Sequence, residues 1–278
     1  MVIMAKKLEN EFRKYWHPEF KDWHENIKGV YHISSVGCDH QDLEWDEHSG
    51  PCLRQTYWEY TDPIPDSDET EGNFEEGREH HEKLQKIIKK WKPNSIIEKP
   101  LAKIFEREDQ KILLVGSIDV EYHHLFDLLT DTAKTKKGIS IWDIKTASMF
   151  TMPKGKYDKN PTHFDQTKIY GTMDVLFDLH PLHNKMVRVK IIYVGKHNKR
   201  TLTQRDIFDL DEGMEKFGSC LDRAFGLDEC LDNEVVPKAE PMKWCKYCKY
   251  LERCTEQGDV LPIMKYKKMV GLKVVDIE

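Results

Sequence analysis

Lys111-Ile112-Leu113-Leu114-Val115-Gly116-Ser117-Ile118-Asp119 and, further along, Ile139-Ser140-Ile141-Trp142-Asp143-Ile144-Lys145-Thr146 are the two stretches on which the fold of this chain turns. Both are apolar runs rich in Ile, Leu and Val, the composition of buried strands. Both close on charge, the first at Asp119 and the second at Asp143 and Lys145. Residues two apart on a strand share a face, so Asp143 and Lys145 project together. If the two strands are neighbours, Asp119 joins them. Two carboxylates and an amine converging at a sheet edge suit a hard divalent cation with an ammonium beside it. A D-x-K pair standing alone is more often a solvated strand-end ion pair, so its surroundings decide the reading.

Outward from these strands, helical and strand patterns alternate. Upstream, Asn73 is placed to cap a helix, with Glu76 three residues later closing a capping box. Phe74, His81, Leu84, Ile88 and Trp91 then line one face, and Pro93 ends the helix. Strands are expected over residues 96–106, 111–122, 138–146 and 187–196, and helices over 162–179 and 212–225. Residues 5–28 have helical spacing interrupted by Pro18, and residues 61–71 form a Pro-rich acidic stretch that reads as an exposed loop. A lysine-rich loop is expected near residues 130–137. The alternation predicts an α/β layer architecture.

With 278 residues, 39% hydrophobic and 33% charged, the chain has the composition of a soluble globular enzyme. No apolar run approaches membrane-spanning length and no signal-peptide pattern opens the chain, so a cytoplasmic location without membrane contact is expected. The net charge of -6 argues against a protein that coats nucleic acid non-specifically, and leaves a local basic groove possible. Seven cysteines without a secretion signal point to metal binding rather than disulfides.

Gly77-Arg78-Glu79-His80-His81-Glu82, Gly116-Ser117-Ile118-Asp119, Asp143-Ile144-Lys145 and Gln166-Thr167-Lys168-Ile169-Tyr170 follow one another in the order G-R-x-x-H-E, G-x-I-D, D-x-K and Q-x-x-x-Y. This set resembles the RecB-like branch of the PD-(D/E)XK nucleases. The resemblance implies a restriction-endonuclease-like α/β fold, a mixed sheet core flanked by helices. It implies His81, Asp119 and Asp143 as metal ligands with the Ile144 carbonyl, and Lys145 as the catalytic lysine. Gln166 and Tyr170 would support the site and contact DNA. His81 rather than His80 is selected by the family spacing from Gly77.

Cys245, Cys248 and Cys254 form C-x2-C-x5-C, and Cys52 stands far upstream in C-x-R-x-x-Y with Arg54 and Tyr57. One distant cysteine plus a C-terminal triplet is similar to the iron-sulfur nucleases, among them the CRISPR-associated RecB-like exonucleases and the AddB nuclease domain, and implies a 4Fe-4S cluster. Four thiolates also suit zinc. Cys38, Cys220 and Cys230 fall outside the pattern.

The resemblance implies a metal-dependent DNA exonuclease, working through Mn2+ or Mg2+ on single-stranded DNA or free ends, with a helicase, recombination or CRISPR-adaptation protein as a possible partner. The alternatives are a non-cleaving DNA-binding or scaffolding subunit and a zinc-stabilised protein with an accidental D-x-K. The expected organisation is an N-terminal helical segment over residues 1–71 that includes Cys52, a nuclease core over 72–210, a C-terminal helix and iron-sulfur cluster region over 211–258 and a tail over 259–278. Lys154, Lys156, Lys159, Lys243, Lys246, Lys249 and Arg253 are candidate phosphate contacts, as are Lys134, Lys136 and Lys137. Trp244, Tyr247 and Tyr250 could stack on unpaired bases or pack over the cluster.

Overall fold

The computed structural model describes residues 28–38, 51–123, 139–148, 152–177, 186–196, 200–240 and 245–257. Of the helical pattern expected over residues 5–28 all but the last residue lies outside them, as do the lysine-rich loop near 130–137, the tail from 259, and Lys134, Lys136, Lys137, Lys243 and Trp244.

Six strands make one mixed sheet: β1 (Val30–His32), β2 (Ile96–Arg107), β3 (Gln110–His123), β4 (Ile139–Ala147), β5 (Met186–Gly195) and β6 (Thr201–Asp209). Its order is β1-β3-β4-β5-β6, with β2 paired to β3 off this path. The helices are α1 (Ile33–Val36), α2 (Leu53–Thr61), α3 (Asp68–Trp91), α4 (Pro161–Phe177), α5 (Leu210–Asp232) and α6 (Leu251–Glu256), with a 3-10 turn at Cys245–Tyr247. The fold is therefore mixed α/β, a six-stranded sheet flanked by helices. One core lies between the sheet and α4 and α5, and includes Leu114, Ile118, Ile141, Ile169, Tyr170 and Phe217. A smaller one joins Ile88 of α3 to Val120, Ile144, Ile192 and Val194 on the opposite face.

Local chemistry explains where the helices begin. Asn160 accepts a hydrogen bond from the Thr162 amide at 3.1 Å, and Pro161 takes the first helical position of α4, where no amide is needed. Asp209 caps α5 through the Glu212 amide at 2.8 Å, which starts the helix at Leu210 rather than residue 212. The start of α3 also differs from expectation. Ser67, not Asn73, is the cap and accepts from the Thr70 amide, so the helix includes part of the acidic stretch expected to be a loop. Asn73 instead accepts from Lys196 at 2.7 Å. The apolar face is shorter than expected too: Ile88 is buried, whereas Phe74 and Trp91 are 60% and 76% exposed.

Two strands were not anticipated. β1 has three residues, too few for a periodic signal, and β6 is mostly polar, with exposed residues interspersed along its length. Both exist because a neighbour offers a ladder: β1 runs parallel to Leu113–Val115, and β6 pairs antiparallel with β5.

The central strand is β3. One edge pairs with β2 along its length, while the other pairs with β1 at residues 113–115 and with β4 at residues 120–123. Between those partners, Gly116-Ser117-Ile118-Asp119 has no strand on that edge among the described residues. The β2 ladder also skips Glu98 opposite Asp119, and Glu98 has a positive φ of 51°. In a regular strand residues two apart share a face. Here Ile118 packs toward α4 and α5, whereas Val120 packs under α3. The alternation thus breaks at Asp119, where the sheet forks.

Candidate active site at the fork of the sheet

Continuing the β3–β4 register one step past Val120 and Trp142 sets Asp119 opposite Asp143. No backbone ladder bridges them there. The Asp119 Oδ2 instead accepts the Ile144 amide at 2.6 Å, a side chain closing the ladder in place of a main-chain carbonyl. His81, from α3, reaches the same oxygen with its Nδ1 at 3.7 Å. Gly77, one turn earlier, lets the helix come close, since a Cβ there would stand 3.2 Å from the Thr146 hydroxyl. His80 points elsewhere, its Nε2 3.7 Å from Glu76, so His81 is the histidine facing the site.

Lys145 lies two residues from Asp143 on the same face, and its Nζ is 3.1 Å from Asp143 Oδ1. It also donates to Gln166 Oε1 at 3.2 Å, and Gln166 donates to the Tyr170 hydroxyl at 2.7 Å. The i, i+4 spacing on α4 makes that relay possible. Gly116 completes it from β3, because a Cβ there would lie 2.6 Å from a Tyr170 ring carbon. Tyr170 is itself buried, so it positions Gln166 and Lys145, and its ring is closed to any DNA contact.

Burial sets the electrostatics. It holds the Asp143 carboxyl above the usual carboxylate range, with Asp119 adding to the rise and the Lys145 ammonium opposing it. Burial pulls the His81 imidazole down, but the Asp119 carboxylate and then Asp143 raise it above its ordinary value. Asp143 Oδ2 is buried without a hydrogen-bond partner. A buried anionic oxygen left this way is costly and fits a cation. The donor set fits as well: two carboxylates, an imidazole and a strand carbonyl suit a divalent ion between magnesium and the softer metals. As they stand, no three His, Cys, Asp or Glu side chains among the described residues are close enough together to hold a metal ion. The Lys145 ammonium supplies the counter-charge on Asp143.

Two residues beside Lys145 escaped the sequence reading. Tyr193 is Lys145's ladder partner on β5, and its hydroxyl stands 2.9 Å from His163 Nδ1. Burial, and then the charge of Lys145, push the His163 imidazole down to about 3. The signal for His163 was its place three residues before Gln166, on the same helical face.

The cysteines partly converge. Burial raises the Cys254 thiol to about 11, with Cys52 and Cys248 adding to the shift and Arg54 opposing it. Burial raises Cys248 too, with Cys52 contributing. Cys52, Cys248 and Cys254 are therefore electrostatic neighbours. Cys245 precedes them in the same turn, where its carbonyl accepts the Cys248 amide at 3.0 Å. Arg54, in the C-x-R pattern, donates to the Pro237 carbonyl at 2.7 Å and so joins the Cys52 helix to the C-terminal segment. Three of the four thiols of the pattern thus come near one another from both ends of the chain, and cysteine thiolates are the ligands that an iron-sulfur cluster takes. Cys38 and Cys220 are buried elsewhere, each pushed up to about 12, chiefly by burial.

The acidic stretch acquires a role here. Lys249 lies 3.0 Å from Glu59 and 3.1 Å from Asp66, Arg253 lies 2.7 Å from Asp62, and the Ile64 amide donates to the Tyr250 hydroxyl at 3.1 Å. Lys249 and Arg253 are thus neutralised by protein carboxylates rather than held out for phosphates. Tyr250 is fully buried against Trp58 and cannot stack on a base, whereas Tyr247 is 71% exposed. Lys159 is likewise paired, 3.2 Å from Asp206.

No protein-family model matches the chain, and no curated protein matches it. Thirteen chains of solved structures match. Among them, the crystal structure of SSO0001 is similar at 16% identity and a TM-score of 0.45, over 91% of this chain and 96% of that one. No helix among the described residues is long and apolar enough to cross a membrane.

Proposed function

We propose that this chain is a metal-dependent DNA exonuclease of the RecB-like PD-(D/E)XK class that carries a 4Fe-4S cluster. The observation that carries the reading is the fork between β3 and β4, where Asp119, Asp143 and Lys145 converge and a buried Asp143 oxygen has no partner. Asp119, Asp143, His81 and the Ile144 carbonyl would hold a divalent cation, and Cys52, Cys245, Cys248 and Cys254 the cluster. A cation bound there lowers the pKa of its water toward about 7 in favourable sites and offsets the charge of a phosphorane-like transition state.

This chain's own part follows from its geometry. Lys145, held by Asp143 on one side and Gln166 on the other, orients the attacking water and stabilises developing negative charge. Tyr170 and Gly116 keep Gln166 in place. The His81 imidazole favours manganese at least as much as magnesium.

Digestion of end-labelled single- and double-stranded DNA with manganese, magnesium or chelator tests the reading. Cleavage should require the metal and vanish in Asp119→Ala and Asp143→Ala. Lys145→Ala should lose on the order of 10² to 10⁴ in rate while keeping metal affinity. Undiminished cutting by either Asp variant, or no cutting by the wild type under any condition, overturns it.

A further inference from the structure

On the face of the sheet opposite Lys145, past the end of α3, cations collect in two ladder rows. Ladder partners share a face. One row there is Trp142, Lys190 and Arg205, and the next is Ser140, Arg188 and Ile207. Neither row contains a carboxylate. Lys92, at the end of α3, stands over the Tyr122 ring at 4.8 Å, and Lys190 over the Trp142 ring at 3.7 Å. The two rings are 6.4 Å apart. None of Lys92, Arg188, Lys190 and Arg205 forms a salt bridge among the described residues; Lys92 and Arg205 are exposed, and the half-buried Lys190 differs from Lys99, Lys145, Lys168 and Lys216, which are paired with carboxylates. Burial lowers the Lys190 ammonium's pKa, and the charges of Arg205 and Lys92 lower it further. The cations therefore repel one another, a cost that an anion laid across them would relieve.

We propose that this face binds the phosphate backbone of DNA at a place distinct from the cleft that holds Asp143 and Lys145. The inference takes its ligand from the nuclease reading and adds a second hold on the strand. A row of cations along a strand meets a repeating polyanion better than an isolated ion, and the arginine fork matches phosphate oxygens in pairs. Rings already covered by Lys190 and Lys92 hold those ammonium groups in position rather than stack on bases. Trp142 and Asp143 are consecutive, so this surface lies directly behind the cleft. A strand that leaves the cleft around the fork passes onto it.

The test is binding of labelled single-stranded and duplex oligonucleotides to the full chain in chelator, which separates binding from cleavage. Arg188→Glu with Arg205→Glu should weaken binding by about tenfold or more and flatten the salt dependence, by about 0.7 in slope per lost single-strand phosphate contact. Arg188→Gln with Arg205→Gln should show a smaller change in the same direction, which keeps the test valid should the reversed charges unfold the protein. If wild type cuts DNA but both double variants bind with unchanged affinity and slope, the surface proposal falls while the nuclease reading stands. If wild type never cuts yet binding depends on Arg188 and Arg205, the nuclease reading falls and the surface remains. Binding of phosphatidylserine vesicles or polyglutamate through these arginines, with no effect on DNA, also overturns it.

Discussion

The smallest residue near the site bears the tightest contact. Gly116 faces the Tyr170 ring, and a methyl group there would meet it at 2.6 Å, far inside van der Waals contact. Tyr170 is buried and tied to Gln166, so it cannot swing aside without dropping the Lys145 contact. Gly116→Ala is therefore expected to cost about 1–3 kcal/mol from overpacking, read by urea titration, and to lower any activity more than that loss explains. His163 gives a pH-dependent counterpart. Its folded pKa is depressed from 6.5 to about 3, so the unfolded chain takes up a proton first as the solution is acidified. The stability of the neutral imidazole is complete above 6.5 and is lost progressively as the pH falls toward 3. His163→Gln should flatten that acid limb, in unfolding curves taken across the window, by up to one proton's worth of slope. An unchanged slope would mean that the imidazole is hydrated and not buried.

At the scale of elements, the site depends on two helices approaching the fork from opposite faces of the sheet. α3 brings His81, and its start is held by Ser67. Ser67→Ala should cost about 1 kcal/mol, the ordinary value for losing a helix cap, seen as a lower melting temperature without loss of the fold. α4 brings Gln166 and Tyr170 and is started by Asn160 and Pro161. The acidic loop between α2 and α3 is a tether: Asp62 and Asp66 engage Arg253 and Lys249. These pairs are largely exposed, and each is worth at most about 1 kcal/mol. Their main effect is to use up cations that would otherwise be open to phosphate.

Across the whole molecule, the two cysteine-bearing segments are joined through a buried arginine. Arg223 of α5 is buried and donates to the Val36 carbonyl at 2.8 Å and the Pro51 carbonyl at 2.9 Å. It also pairs with Glu240, whose carboxylate accepts the Leu53 amide at 2.6 Å. One guanidinium thus ties α1, the start of α2 and the irregular segment before the cysteine turn. Arg223→Met leaves the half-buried Glu240 carboxylate without its cation and should cost about 3 kcal/mol, read by urea titration. Cys52→Ser should lower iron content and melting temperature together, whereas Cys220→Ser should leave iron content unchanged, as measured on anaerobically purified proteins. Because Arg223 holds these segments independently of the thiols, Cys52→Ser should leave a folded chain by circular dichroism.

Periodicity along the chain was enough to find β3, β4 and β5 within a few residues, to put Asp143 and Lys145 on one face and to put Gln166 and Tyr170 on one helical stripe. Those features follow from the two-residue repeat of a strand and the 3.6-residue turn of a helix, which covalent geometry imposes locally. The order Gly77, His81, Asp119, Asp143, Lys145 was legible from the resemblance of these motifs to a known set and not from periodicity. Tertiary contact decided the rest. The change of partner along the β3 edge, the break at Asp119 opposite Glu98 and the burial of Tyr170 beneath Gly116 depend on residues far apart in sequence. So do the neutralisation of Lys249 and Arg253 and the absence, among the described residues, of a salt bridge to the four cations on the far face of the sheet. A charge looks the same in sequence whether or not a partner waits for it, and only packing determines which cations remain open.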